Sequence, residues 1–419
     1  GHAYAGDRRH ATAATRRRHE PEASGVRILV LAPHPFFQAR GTPLAVHSVL
    51  EFLSARGHQV DLLTFPEGDD VTIPNCRIYR IPRIPGVRDV RPGFSLKKVL
   101  CDGAMFVQCL RMVRRNHYDL IHAVEESAFI AAAARELAGV PYIYDMDSSL
   151  AEQMVEAYPV LHFALPFMRY CESVAVRRSL GVLTVCAALE DVAHGHDPAK
   201  PVGRVEDSTL LSTPSSADGH GNGVLLEAVR QQGPVAMYVG NLERYQGIDL
   251  LLQGFRHALR RVPSASLVIV GGREDDIRRY RGVAQELGIV QRVHFLGPRP
   301  VAQLPALLRQ ADVLVSPRLK GLNTPMKIYS YLDSGTAVLA TRLRTHTQVL
   351  DDRSAYLVAP EPEALGAGLA ELLSNRTLRQ RLAAHAKEYV QEEFAPEAAR
   401  RKLAAFYDAM EAKAAGAWR

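Results

Sequence analysis

Short runs of β-branched and apolar residues alternate along this chain with longer segments in which apolar positions recur every three or four residues. Runs of the first kind occupy 27–32 and 60–64, and the segment between them, 44–55, is of the second kind and stops before Gly57. The runs predict buried strands, and the longer segments predict amphipathic helices. Their regular alternation predicts an α/β fold built on parallel sheets.

The same rhythm resumes after residues 212–223, STPSSADGHGNG, whose composition is typical of a linker. Further strands are predicted at 235–239, 267–270, 293–296, 313–315 and 337–340, with helices at 248–261 and 396–415. At 419 residues the chain is long for one hydrophobic core. We therefore predict a disordered extension at 1–24, a domain at 25–211, a linker at 212–223, a second domain at 224–394 and a final helix within 395–419.

The stretch 311–340 predicts a strand, a polar loop, a helix and a second strand. Asn323 and Thr324 belong to the residue types that cap helices, and Pro325 suits the first helical position. A helix starting there, at the carboxyl end of a strand, would hold an anion through its free N–H groups and the ammonium of Lys327. An ordinary capped helix with a solvated lysine is the alternative.

Carboxylates follow two predicted strands of the first domain. Glu125 and Glu126 end one strand, and Asp145 and Asp147 end the next. Because parallel strands end at one edge of a sheet, these side chains should gather there, where they could hydrogen-bond sugar hydroxyls or act as general bases. Capping of the following helix is an alternative for Asp147 and Ser148.

Gly41 and Thr42 precede the first predicted helix. The glycine stands alone without a GxGxxG pattern, so the sequence gives no support for a dinucleotide fingerprint. Two interpretations remain open: the glycine allows the backbone to approach a ligand closely, or it forms a simple turn.

Charge and cysteine content narrow the class of protein. The formal net charge is +6, and residues 77–115 hold ten Arg and Lys side chains, with a helix predicted over 95–115. Such a helix could lie on an anionic membrane surface, or it could pack in the domain with solvated charges. Five cysteines without a CxxC pair favour a reduced cytoplasmic protein. No apolar run reaches the roughly 18–20 residues of a membrane span, and no metal-ligand spacing or nucleic-acid motif is present.

Five motifs taken together resemble the GT-B glycosyltransferases of the large retaining family 4. They are RGHQVDLLT at 56–64, YVGNLERYQGIDLLLQGF at 238–255, LVIVGG at 267–272, VHFLG at 293–297 and the long segment 311–343. The resemblance covers about residues 26–410. It implies two Rossmann-like domains facing a cleft, with the last helix crossing back, and a nucleotide-sugar donor bound by the second domain. It also implies transfer with retention to an acceptor hydroxyl on a glycan, a glycolipid or a small molecule.

The chain departs from the family pattern at four charged positions. Asn241 and Gln246 stand where the family usually has an Arg and a Lys that hold the donor diphosphate. Leu322 and Ser330 stand where it has two glutamates that meet the donor sugar and the ribose. The histidine common in the front domain is also displaced, because Val124 stands at its usual position.

A diphosphate without a cation in a closed cleft would be costly, so substitutes are expected nearby. Lys327, Arg318 and Lys320 are the candidates. We therefore predict a metal-independent retaining glycosyltransferase without a cofactor, in which the nucleotide sugar is a substrate. The predicted catalytic residues are Glu125, Glu126 and Lys327. The predicted donor-binding residues are Gly41, Thr42, Gly240, Asn241, Gln246, Gly272, Arg299, Lys320, Asn323, Thr324, Pro325, Met326, Lys327 and Ser330.

The predicted partners are a nucleotide-sugar donor and a hydroxyl acceptor that could be lipid-linked, with peripheral contact to anionic membrane through 77–115 and no nucleic acid. The expected location is the cytoplasm, at the inner face of the membrane where that contact forms. Two other classes stay open. One is a nucleotide-sugar epimerase or a phosphorylase on the same fold, and the other is a non-catalytic protein that binds a nucleotide or a glycan.

Overall fold

A computed structural model describes residues 25–38, 41–87, 90, 95–157, 159–209, 211 and 227–417. In these residues the strands form two separate parallel sheets. The first has the order β3-β2-β1-β4-β5-β6-β7. Its strands are β1 Arg27–Ala32, β2 Gln59–Thr64, β3 Cys76–Arg80, β4 Leu120–Val124, β5 Tyr142–Met146, β6 Gly181–Thr184 and β7 Val202–Arg204.

The second sheet has six strands in the order β10-β9-β8-β11-β12-β13. They are β8 Val235–Val239, β9 Ser266–Val270, β10 Val293–Gly297, β11 Val313–Ser316, β12 Ala337–Thr341 and β13 Tyr356–Val358. We call the residues up to 209 the N-terminal half and residues 227–394 the C-terminal half. Two parallel sheets in succession confirm the predicted α/β fold. The predicted linker at 212–223 and the extension at 1–24 lie outside the described residues, so the exact domain boundaries stay a prediction.

Helices cover both faces of each sheet. Alternate residues of the central strands therefore enter different apolar cores. In β1, Leu29 and Leu31 join one apolar cluster while Ile28 and Val30 join another. Near-continuous apolar strands are expected for parallel sheets buried on both sides. The α-helices are Gly41–Ala55, Leu96–Arg115, Ser127–Ala138, Leu150–Ala157, Leu165–Arg178, Ala187–His196, Ile248–Ala258, Glu274–Glu286, Leu304–Leu308, Lys327–Asp333, Arg344–Thr347, Pro362–Ser374, Arg376–Glu393 and Pro396–Ala417.

The last helix, Pro396–Ala417, crosses back to the N-terminal half. Phe406 lies so close to β7 that a Cβ on Gly203 would stand 2.5 Å from its ring, which explains a glycine in that strand. Tyr407 Oη lies 2.7 Å from His122 Nδ1 in β4, and Arg56 pairs with Asp408 at 2.6 Å. The crossing helix implied by the resemblance is therefore confirmed.

Candidate active site

The carboxylates predicted at the edge of the first sheet do gather there. Glu125 directly follows β4 and has a φ of 50°, a left-handed conformation that is uncommon outside glycine. Its backbone N–H donates to the carbonyl oxygen of Asp145 at 2.9 Å, which ties the ends of β4 and β5 together. The side chain of Asp145 also contacts β4, because its Oδ2 lies 2.9 Å from His122 Nε2.

Burial and repulsion between carboxylates raise the pKa values of Glu125, Asp147 and Asp207 at this edge. Burial, followed by the charge of Glu126, raises the pKa of Glu125 to about 7. Burial and Asp145 raise the pKa of Asp207 to about 7 as well. Burial and Asp145 also hold the pKa of Asp147 well above its usual range, although a hydrogen bond with Thr42 opposes this. These carboxyl groups can therefore carry protons near neutral pH, as a general acid or base requires.

Thr42 thus contacts Asp147 at this edge of the first sheet, and it does so from within a helix rather than from the loop before it. Gly41 and Thr42 are the first residues of helix Gly41–Ala55, which begins three residues earlier than the sequence suggested. Gly41 has a φ of 35°, and no described atom lies within 4 Å of the position that a Cβ would take there. The space around Gly41 is open. At the start of the helix that follows Asp147, it is Ser149 whose Oγ accepts a backbone hydrogen bond, from the N–H of Glu152 at 3.4 Å.

Glu126 is held by Lys98 from helix Leu96–Arg115, in a close ion pair between partly buried side chains. Burial opposes the charge on Lys98, yet Glu126 and Glu125 raise its pKa above the ordinary value. Burial and Glu126 raise the pKa of the neighbouring Asp102 to about 7. Glu126 therefore differs from Glu125, because its charge is already matched by a cation.

The predicted helix start in 311–340 is wrong by two residues. The helix is Lys327–Asp333, the residue before it is Met326 in a helical conformation, and no side chain caps it. Asn323 Oδ1 instead accepts from Arg318 Nη2 at 3.1 Å, and Thr324 Oγ1 accepts from Gln348 Nε2 at 2.9 Å. Pro325 is therefore outside the helix, where its carbonyl accepts from the N–H of Ile328.

Lys327 lies next to Gln246 and Gly240, two other residues that were predicted to bind the donor. Its Nζ donates to Gln246 Oε1 at 3.0 Å and stands 3.9 Å from the centroid of the Tyr238 ring. A Cβ on Gly240 would be 3.1 Å from that Nζ, so the glycine keeps the space beside the ammonium open. Burial and the nearby Arg318 hold the pKa of Lys327 well below its ordinary value.

The remaining predicted donor residues are more dispersed. Asn241 is exposed, and its backbone oxygen accepts from Tyr238 Oη at 2.6 Å. A Cβ on Gly272 would be 2.4 Å from Leu242, so packing within the half accounts for this glycine. Arg299 donates to its neighbour Pro298, and Lys320 has an exposed side chain while its carbonyl accepts from Arg318.

Ser330 is fully buried, at 0% exposure. The helix turns it into the core of the C-terminal half, so its side chain has no exposed surface in this structure. The ribose contact that the resemblance implied for Ser330 stays a prediction. Residues that the sequence had not singled out include Asp207, which follows β7, and Gln348, which follows helix Arg344–Thr347. Neither residue belongs to a motif of the sequence. Each interacts with residues of the site that are far from it in the sequence, Asp207 with Asp145 and Gln348 with Thr324.

No group of three or more His, Cys, Asp or Glu side chains in the described residues could hold a metal ion. Within the same residues, no helix combines the length and the apolar character that crossing a membrane requires.

Two family profiles match the chain in the order of its two sheets. The profile described as glycosyl transferase 4-like domain matches residues 40–204, and the one described as glycosyl transferases group 1 matches residues 227–389. The chain belongs to the GT-B glycosyltransferases of family 4. The expectation drawn from its five motifs is thereby confirmed at the level of the family.

Relatives of this glycosyltransferase share about a quarter of its residues over most of its length. A phosphatidyl-myo-inositol mannosyltransferase from Mycobacterium leprae is 25% identical over 370 residues, which span 87% of this chain and 92% of the relative. A D-inositol 3-phosphate glycosyltransferase from Corynebacterium urealyticum is 25% identical over 377 residues, spanning 84% and 86%.

Solved structures share the fold of this glycosyltransferase. A sucrose-phosphate synthase from Thermosynechococcus elongatus has a TM-score of 0.75 at 21% identity and covers 93% of this chain and 100% of its own. HepE from Anabaena, solved in complex with UDP, has a TM-score of 0.70 at 16% identity and covers 91% and 100%.

Proposed function

We propose that this glycosyltransferase moves a sugar from a nucleotide-sugar donor to an acceptor hydroxyl with retention of configuration, and that it needs neither a metal ion nor a cofactor. The C-terminal half would bind the donor, and the carboxylates at the edge of the first sheet would face the acceptor. The location of Lys327 is the observation that carries the proposal.

Lys327 supports a diphosphate site because its surroundings disfavour its own charge. Burial and Arg318 both lower its pKa, and its hydrogen-bond partner Gln246 is neutral. The negative charge of a bound diphosphate would raise the pKa of Lys327 and so offset burial and Arg318, since an anion beside a buried cation favours the charged form. Lys327 also contacts Gln246, the position where the family usually has a lysine, so it can supply the cation missing there. Stabilisation of the departing diphosphate is then the main catalytic contribution that we expect from this half.

The acceptor would approach Glu125, Asp147 and Asp207. Their raised pKa values allow one group to hold a proton while another accepts one, and carboxyl oxygens are suited to hydrogen-bonding sugar hydroxyls. The names of two relatives contain inositol lipids or inositol phosphate. A polyhydroxylated acceptor is therefore the class that we propose, and it could be lipid-linked.

The test begins with a thermal-unfolding screen against nucleoside diphosphates and their sugars. A ligand at a hundred times its dissociation constant stabilises a protein by about 2.7 kcal/mol. The best donor is then incubated with polyol acceptors in the presence and absence of EDTA, and the anomeric configuration of the product is read by NMR. We expect transfer that EDTA does not inhibit, with a retained anomer. An inverted product, or activity that only Mg²⁺ or Mn²⁺ restores, would contradict the mechanism, and a changed nucleotide sugar released without acceptor would indicate an epimerase.

We also propose peripheral contact with an anionic membrane at the cytoplasmic face, through helix Leu96–Arg115. Leu96 is 75% exposed and Leu100 is 48% exposed, although the helix buries its opposite face in the core. Exposed Arg114 and Arg115 end the same helix and would attract acidic lipid. Lys98 of the same helix pairs with Glu126 and is therefore left out of the proposed surface.

Flotation with vesicles of acidic phospholipid tests this contact. Replacement of Leu96, Leu100, Arg114 and Arg115 by Gln should abolish binding, and salt above about 0.15 M should weaken binding of the unaltered protein. Leu137→Gln is a matched control, since Leu137 is 58% exposed on another helix. Equal binding by the fourfold variant would exclude this helix as the contact.

A further inference from the structure

The side chain of Gln348 joins the two halves of the molecule. Its Oε1 accepts from the backbone N–H of Ala188 in the N-terminal half at 3.1 Å. Its Nε2 donates to the carbonyl oxygen of Leu322 and to Thr324 Oγ1, both at 2.9 Å in the C-terminal half. One amide group therefore bonds the opposite half and the loop before Lys327 at the same time.

On the N-terminal side, Gln348 takes the place of a helix cap. Ala188 is the second residue of helix Ala187–His196, where N–H groups have no partner within the helix. Cys186, the residue before the helix, makes no side-chain capping bond. Loss of a capping bond changes an equilibrium by about two- to thirtyfold. Gln348 supplies that bond only while the two halves are docked.

On the C-terminal side, the loop 320–324 is ordered by both halves. Arg318 and Thr345 hold Asn323 from within the C-terminal half, through its side chain at 3.1 Å and its carbonyl at 2.7 Å. Leu322 instead packs against the core of the N-terminal half, and its carbonyl lies 3.7 Å from Cys186 Sγ. Opening of the cleft would remove these last contacts together with the Ala188 bond.

A second bond between the halves, Arg344 with Asp191, is a poor candidate for this coupling. Both side chains are more than half exposed. Exposed ion pairs contribute little and weaken with salt, whereas the amide of Gln348 is partly buried and neutral. Arg344 also contacts none of the loop residues in the described hydrogen bonds.

We propose that Gln348 is a positioning residue that couples closure of the two halves to the order of the loop 320–324, and so sets Lys327 for a nucleoside diphosphate. The choice of a nucleoside diphosphate as the ligand rests on the proposed function. The coupling between closure and loop order rests only on the bonds of Gln348. When a binding-competent state is only partly populated, the apparent affinity falls by that fraction. Weakening of closure should therefore appear as weaker nucleotide binding, although Gln348 does not touch Lys327.

Hydrogen–deuterium exchange of the whole chain, read by mass spectrometry, tests the coupling without any ligand. In Gln348→Ala, peptides covering 186–190 and 320–327 should both exchange faster. In Gln348→Glu, the carboxylate still accepts from Ala188 but cannot donate to Leu322, so exchange should rise mainly in 320–327. Gln310→Ala is the matched control, because the Gln310 amide donates to Ala306 within its own half. Unchanged exchange of both peptides in Gln348→Ala overturns the inference.

Calorimetric titration with UDP and GDP then tests the consequence for binding. The better nucleotide should bind Gln348→Ala about three- to thirtyfold more weakly than the unaltered protein, with Gln310→Ala unchanged. If Gln348→Ala does not fold, Thr324→Val removes one of the three bonds and should show the same direction of change. Wild-type affinity in either folded variant overturns the inference. Failure of the unaltered protein to bind both nucleotides would count against the proposed function, and the exchange experiment would still decide the role of Gln348.

Discussion

At the scale of single residues, the contact between Lys327 and Gln246 is the observation on which the proposed diphosphate site rests. The sequence predicted Lys327 as a substitute because it follows Pro325 by two residues, in the first turn of a predicted helix whose free N–H groups could hold the same phosphate. The structure brings its Nζ within 3.0 Å of Gln246, although 81 positions separate the two residues. Its role in binding stays a prediction.

Lys327→Ala should weaken nucleoside-diphosphate binding about ten- to a hundredfold, because a hydrogen bond to a charged group contributes about 1.5–3 kcal/mol. Binding of the corresponding nucleoside should change much less. Lys327→Arg should recover part of the loss, since it keeps the charge but not the shape. Calorimetric titration of the unaltered protein, Lys327→Ala and Lys327→Arg with the nucleoside diphosphate and with the nucleoside measures these affinities. Lys387→Ala is the control, an exposed lysine on helix Arg376–Glu393 of the same half, and a loss as large for it as for Lys327→Ala would remove the special role of Lys327.

At the scale of secondary structure, the strands were the most predictable elements and the helix starts were the least. Strands such as β8 and β12 match the predicted runs within one residue, because burial on both faces leaves an unbroken apolar signal. The cap assigned to Asn323 and Thr324 was wrong for a physical reason. Their side chains bond Arg318 and Gln348, and these contacts with residues outside the helix replace the capping bonds.

The raised pKa of Glu125, at the edge of the first sheet, predicts that the stability of the fold depends on pH. The pKa of Glu125 rises from 4.5 in its ordinary state to about 7 in the fold, so the folded state binds this proton more tightly than the unfolded state. The free energy of unfolding should therefore fall as pH rises from about 4.5 to about 7, and the penalty should persist above that range.

Glu125→Gln should accordingly raise the melting temperature more at pH 8 than at pH 4.5. Burial of a charged carboxylate beside Glu126 and Asp145 causes the difference, and the amide removes it. Thermal unfolding by circular dichroism at the two pH values measures the effect. Glu136→Gln, at an exposed position on helix Ser127–Ala138, serves as the control. An equal effect of Glu125→Gln at both pH values would contradict the raised pKa.

At the scale of the whole molecule, the sequence predicted two halves and a final helix, but not how they hold each other. The bond from Tyr407 to His122 joins residues 285 positions apart, and Gln348 reaches Ala188 across 160 positions. Neither residue lies in a motif, and periodicity carries no information about partners at such separations. The family resemblance placed the helix correctly, while the residues that dock the halves became identifiable only from the structure.

Leu322, which stands where the family usually has a glutamate, also has partners that the sequence did not reveal. Two interpretations of this position differ: the glutamate was simply lost, or the leucine helps to dock the halves. If the family's glutamate were simply lost, Leu322→Glu should improve donor binding. In this structure, however, Leu322 packs against the apolar core of the N-terminal half. A carboxylate there would be transferred from water to an apolar surface, which costs free energy and favours separation of the halves.

We therefore expect Leu322→Glu to weaken binding of UDP or GDP and to increase the radius of gyration measured by small-angle scattering. Leu319→Glu is the matched control, because Leu319 directly precedes the loop 320–324 and is 38% exposed. It should bind and scatter like the unaltered protein. Tighter nucleotide-sugar binding by Leu322→Glu, with an unchanged radius, would mean that this position faces the donor and that the halves dock without it.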